Sequence, residues 1–270
     1  MILGLWTWHG DESCCISLVI GACISYFGGF VRILMPQQIA MSYPLKETTK
    51  KEAALQKRSL LFGLALLFLL LRGYLLPTVL RGLASDTVHL SDLVAKCTST
   101  IHAALVAPCA LLYLTKRMSF KHWHRSLSFT QGYLIANSIM DVYDFGLTKE
   151  TILFLVHHVV FFLILAFFAN RKRSYAGLIG QGMLAEFTLP FLYYTWYLLK
   201  TGGQQWPSFL PAAIIAYVGW LILRVGNFTY ILQKLLKKDP RPEVLLFVPL
   251  VSYNYYMFYR LTTIAVANFF

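Results

Sequence analysis

Charge is scarce in this chain of 270 residues: 13% are Asp, Glu, Lys or Arg, against 57% that are hydrophobic. A soluble domain of this size carries roughly a quarter charged residues. That deficit excludes an ordinary water-soluble globule and points to an all-α integral membrane protein. Acidic side chains are scarcer still, 12 against 24 Lys plus Arg. The 5 cysteines form no CxxC pair, so neither a disulfide framework nor a zinc site is read from them. Long polar stretches are missing as well. The longest, 35–57, reads "PQQIAMSYPLKETTKKEAALQKR", a turn followed by a charged interfacial helix rather than a separate soluble domain. The N-terminal segment lacks a basic n-region, so it is not read as a cleavable signal.

What fills the space is a series of apolar runs, each near the roughly 20 residues that a bilayer-crossing helix needs. Eight are read, at about 14–34, 58–76, 93–115, 126–145, 151–169, 176–198, 209–233 and 244–267. The basic residues support this partition. Clusters at Lys46 to Arg58, at Lys116 to Arg125, at Arg171 to Arg173 and at Lys234 to Arg241 alternate with segments holding only Arg81, Lys149 or Lys200. Cytoplasmic loops collect Lys and Arg, so the clusters are expected in the cytoplasm and both termini in the lumen or exterior. The same placement assigns the net charge of +12 to an anionic cytoplasmic leaflet and not to nucleic acid.

Six spans carry a polar group near their middle: His102 in the third, Asn137 with Asp141 in the fourth, His157 and His158 in the fifth, Glu186 in the sixth, Arg224 and Asn227 in the seventh, and Asn254 and Arg260 in the eighth. An ionisable group at the bilayer centre costs on the order of 2.5–3.5 kcal/mol on insertion scales, so these groups are expected to face a shared cavity. Adjacent histidines point roughly 100° apart on a helix; one is expected to reach the cavity while the other bonds to a neighbouring helix. A neutral imidazole in a dry site is a general base or a nucleophile. The catalytic candidates are His157, His158 and His102, with Glu186 or Asp141 orienting an imidazole. Asn137, Arg224, Trp196 and Arg260 are the substrate-binding candidates. No metal site follows from the spacing of the histidines. Plainer roles compete for several of these residues. Arg224 with Glu186 reads as a structural ion pair, Asp141 as a solvated residue near a span end, and Asn254 as an interhelical hydrogen bond. The tyrosines of the eighth span read as packing, Trp123 in "KHWHR" as an interfacial anchor, and Arg32 and Arg72 as side chains snorkelling from span ends.

Four stretches in order, "STIHAALVAPCALLYL" (99–114), "GYLIA" (132–136), "HH" (157–158) and "LAEFTLPFLYYTWYLL" (184–199), resemble the TLC-domain family. That family groups ceramide synthases, TRAM-like translocon-associated proteins and small lipid-homeostasis proteins. The resemblance covers about 90–267. It implies a TLC-type bundle formed by the last six helices around an acyl-chain-sized central cavity, in the endoplasmic reticulum or a related membrane. Residues 1–89 then supply two preceding helices and a basic cytoplasmic loop. His102 matches the family's first histidine, His157 and His158 its paired histidines, and Glu186 the acid of the sixth span, followed by Pro190 and Trp196. Asn137 stands where many members have Asp, and Ala185 stands where ceramide synthases have His. These departures point to the smaller lipid-homeostasis members. The expected function is therefore binding or handling of a membrane lipid or long-chain acyl group, with an influence on sphingolipid composition. The alternative is a ceramide-synthase-like acyltransferase with acyl-CoA as co-substrate and no resident cofactor. Proton-coupled transport ranks third, and homo-oligomerisation is left open.

Overall fold

The computed structural model describes residues 50–168, 173–238 and 242–269, and every regular element among them is helical. The expected first span at 14–34, with Arg32 and three of the cysteines, lies outside the described residues, as does most of the 35–57 loop. So do Arg171, Lys172 and Arg241. Thr48–Phe270 form one compact unit. Helix α1 (Lys50–Leu70) continues through a π-turn (Leu71–Leu75) into α2 (Leu76–Leu80) and a 3-10 turn (Arg81–Leu83). Then come α3 (Leu90–Leu114), α4 (Phe120–Phe145) and α5 (Lys149–Phe168). Helix α6 (Arg173–Met183) passes through a 3-10 turn (Leu184–Phe187) into α7 (Thr188–Lys200). Helix α8 (Phe209–Gly219) passes through a π-turn (Trp220–Gly226) into α9 (Asn227–Lys238), and α10 (Phe247–Phe269) follows.

Each break has a local cause or consequence. Pro77 has no N–H to donate to the carbonyl four residues back, and the π-turn just before it absorbs the change of register. Helix α4 starts where the Ser119 side chain accepts the backbone N–H of His122 at 3.4 Å, and stops at Gly146, whose φ of +65° a side-chain-bearing residue rarely adopts. The 3-10 turn before α7 is closed by the Thr188 hydroxyl, which donates to the Ala185 carbonyl at 2.8 Å.

Among the described residues, four helices are long and apolar enough to cross a membrane: Ser59–Leu83, Leu90–Leu114, Lys149–Phe168 and Phe209–Lys237. The other rods coincide with expected spans but differ in make-up. Helices α6 and α7, 11 and 13 residues long, are separately too short at 1.5 Å per residue. Helix α4 gives up apolar length to "KHWHRS" and to Gln131, Asn137, Asp141 and Asp144, and α10 to Asn254 and Arg260. The outward faces are hydrocarbon: Phe62, Leu67, Val156, Val159, Ile214 and Ile222 are all exposed. On a membrane-crossing helix such side chains meet lipid tails; in water they would form an aggregating patch.

The rods close into a ring. Neighbours in space run α3, α4, α5, α10, the α8–α9 rod and the α6–α7 rod, which returns to α3. Helices α1 and α2 pack outside it, α1 against α4 and α2 against α3. The α1–α4 contact is close enough to demand glycine: a Cβ on Gly132 would sit 2.7 Å from the Leu64 Cβ. Close backbone approach at a small residue is a common way for membrane helices to gain packing. Trp123 is not an interfacial anchor. It is completely buried near the start of α4, with its ring stacked on Tyr113 of α3 at 5.1 Å and 9°.

Candidate functional site

The ring encloses a cavity of about 490 Å³, within the usual range for small-molecule sites. His102, Asn137, Asp141, His157, His158, Glu186 and Arg224 all line it. Two further candidates do not. Trp196 is half-buried on α7 and receives the Lys96 ammonium 3.9 Å above its ring, so it steadies a residue of the cavity wall without touching the cavity. Arg260 is exposed, two turns past Tyr253 on α10 and beyond the end of the cavity.

The first cluster centres on His102 and Glu186. His102 is 1% exposed, sandwiched against Tyr133 at 4.0 Å and 9°. Its Nε2 lies 3.2 Å from the Thr130 hydroxyl. That hydroxyl donates to the Ser126 carbonyl at 3.2 Å, so it is placed to accept from Nε2–H. Nδ1 faces the Glu186 carboxyl, with Oε2 at 3.5 Å. The other oxygen of Glu186 meets Arg224 Nη2 at 3.3 Å. Arg224 is fixed on two more sides: its Nε donates to Thr188 Oγ1 at 3.0 Å, and its guanidinium lies 4.4 Å above the Trp220 ring.

The tandem histidines are not oriented by a carboxylate. Glu186 is taken by His102 and Arg224, and Asp141 by Arg72. The orienting group is a hydroxyl. Ser138 Oγ donates to the Leu134 carbonyl at 2.7 Å and lies 3.2 Å from His158 Nδ1. Having given its proton to the backbone, Ser138 can only accept from Nδ1–H, and neutral His158 is left with its lone pair on Nε2. Both histidines line the cavity, so neither is turned wholly toward a neighbouring helix. His157 differs from its neighbour in having no hydrogen-bond partner at its buried Nδ1; it stacks instead on Tyr253 at 4.3 Å and 26°.

The third cluster overturns two expectations. Arg72 does not snorkel and Asp141 is not solvated. Arg72 lies in the π-turn of the preceding rod, 1% exposed, with Nη1 2.7 Å from Asp141 Oδ1 and Nη2 2.8 Å from Asp144 Oδ2. Nη1 also donates to Asn137 Oδ1, and Asn137 Nδ2 donates to Asp141 Oδ2 at 3.2 Å. The apolar run around Arg72 continues past Pro77 to Leu83, which makes Arg72 an interior residue with nowhere to snorkel. That extension was the signal to follow. The aromatic wall of Tyr133, Tyr193, Trp220 and Tyr253 was also missed, because an aromatic residue at helical spacing reads equally well as packing.

No family model, curated protein or solved structure matches this chain. The described residues define its class: a helical membrane protein with a largely apolar cavity on which a few buried polar groups converge.

Proposed function

We propose that the chain is a multi-pass, TLC-type lipid-handling protein. Its six-rod ring receives the acyl chain of a membrane lipid, in an eight-span arrangement at the endoplasmic reticulum, and through that binding it influences sphingolipid composition. The observation that carries this reading is the cavity: about 490 Å³, walled by Leu134, Phe161, Leu189, Leu192 and Met257, with imidazole, carboxyl and guanidinium groups converging on it. An apolar enclosure with a few convergent polar groups is the general form of a small-molecule site. The cavity reaches the surface beside exposed Thr148 and Glu150. These lie at the end of the ring away from the basic clusters of residues 116–125, which favours a bilayer lipid over a cytosolic thioester.

The His158 tautomer supports a second reading, acyl transfer. Nε2 would take the proton from an amine or hydroxyl as that group attacks the carbonyl of acyl-CoA, and the CoA thiolate would leave. One experiment separates the two. Purified protein is incubated with radiolabelled acyl-CoA and long-chain amines and alcohols, with His158→Ala alongside, and its bound lipid is extracted. Bound lipid without turnover is expected. Turnover lost in His158→Ala would establish the transferase, and neither lipid nor turnover would remove both readings.

A further inference from the structure

A second hollow of about 310 Å³ lies between α5 and α10, lined by Leu153, Val156, Val160, Pro249, Ser252 and Tyr256 together with His157 and Tyr253. Val156 is 50% and Tyr256 44% exposed, so this groove is open on the outer face of the ring. Helix α5 is also one of the helices apolar enough to cross a membrane. With α5 crossing a bilayer, what lies against the groove is hydrocarbon. His157 and Tyr253 line both the groove and the central cavity. The stacked pair is thus the partition between the two spaces.

That partition is built differently from the rest of the wall. His158, one residue on, is pinned through Nδ1 to Ser138, and His102 is held through Nε2 by Thr130. His157 has no partner at Nδ1 and is kept in place by ring contact alone. Rotating one ring would join the groove to the cavity without moving a helix or breaking an ion pair. We propose that the α5–α10 groove is an acyl-chain site and that the His157–Tyr253 stack is a lateral door, through which a lipid tail passes from the bilayer into the central cavity. This rests on the lipid-handling reading of the cavity and adds the route: sideways between two helices, rather than through the polar mouth at Glu150. The ligand class follows from the lining, which is aliphatic and aromatic apart from the hydroxyls of Ser252 and the two tyrosines and the His157 ring, and holds no Asp, Glu, Lys or Arg, so the groove takes a tail and not a headgroup.

The test uses full-length protein in phosphatidylcholine vesicles containing a phosphatidylcholine with a diazirine in its acyl chain. Photolabelled sites are mapped by peptide mass spectrometry. Wild-type protein is expected to carry label in the groove, near Val156 and Ser252, and in the cavity, near Leu192 and Met257. Ser252→Trp fills the groove from the lipid side without touching the cavity, and should lower cavity labelling at least fivefold. Tyr253→Ala removes half of the door and should raise the initial rate of cavity labelling. Ile215→Trp, on the exposed face of α8, controls for added bulk, and the thermal unfolding of each variant is compared. Undiminished cavity labelling in stably folded Ser252→Trp would overturn the door while leaving the lipid reading intact. No cavity labelling in the wild type would overturn the lipid reading itself. If Ser252→Trp fails to fold, Tyr253→Ala decides: an unchanged labelling rate overturns the door.

Discussion

Two buried arginines, each in a π-turn, grip the ring from different sides. Arg72 faces two carboxylates and an amide, with both terminal nitrogens in short ion pairs of 2.7 and 2.8 Å. Arg224 faces one carboxylate at 3.3 Å, shares it with His102, and takes the rest of its contacts from a hydroxyl and a ring. The first arrangement holds both terminal nitrogens of one guanidinium in short ion pairs, leaves its Nε without a hydrogen-bond partner among the described residues, and joins the outer rod to α4. The second is longer and looser, and its acid has a second partner close by. A guanidinium gripped by two acids fixes geometry; a shared acid can move toward a ligand. Both clusters reach the same cavity, the first through Asn137 and Asp141 and the second through Glu186 and Arg224. That π-turns carry both arginines fits their frequent use at functional positions.

The comparison predicts a graded series. Arg72→Met should be the most damaging single change, because it leaves Asp141 and Asp144 buried without their cation. Removing one partner of a buried pair costs about 3–5 kcal/mol, read as lost resistance to thermal unfolding in detergent. Asp141→Asn in the Arg72→Met background should recover part of that loss; no recovery would mean the pair is not the unit. Arg224→Met should cost less, about 1.5–3 kcal/mol for a hydrogen bond to a charged group, and should lower lipid retention at a temperature where the protein stays folded. Equal stability losses in the two variants would erase the distinction drawn between the clamps. Gly132→Ala tests the seat of the first clamp, since its new methyl meets the Leu64 Cβ at 2.7 Å; overpacking of this kind costs about 1–3 kcal/mol. A third arginine sharpens the contrast. Arg260 is exposed, so Arg260→Ala should change stability by no more than about 0.5 kcal/mol and leave lipid retention unaltered.

Much of the helical layout was legible, because a long apolar run followed by turn residues has few other ways to fold. The breaks inside the rods were not legible: π- and 3-10 turns alter hydrogen-bond register without altering composition. The cavity residues announced themselves through cost. His102, Asn137, His157, His158, Glu186 and Arg224 each sit in hydrocarbon, and a polar group there must face inward. Their pairing was hidden, since Arg72 and Asp144 are 72 residues apart and only packing brings them together. Asp141 was therefore offered as a partner for histidine when Arg72 already held it. Resemblance points to Trp196 and residue type to Arg260, and neither property says where a helix passes the end of a cavity. Ser138 escaped notice because serine is common in helices; its role appears only once its own proton is traced to the Leu134 carbonyl.

The claim beneath all of this is that the ring holds a lipid tail in its centre. Native mass spectrometry of the full-length protein, released from mild detergent, tests it directly. Leu192→Trp serves as a cavity-filling variant, and Leu210→Trp, on an exposed face, as a control for bulk. The account predicts about one retained lipid or acyl chain per wild-type and Leu210→Trp chain, and little or none on Leu192→Trp. Equal lipid retention by all three folded proteins, or none by the wild type, would contradict it.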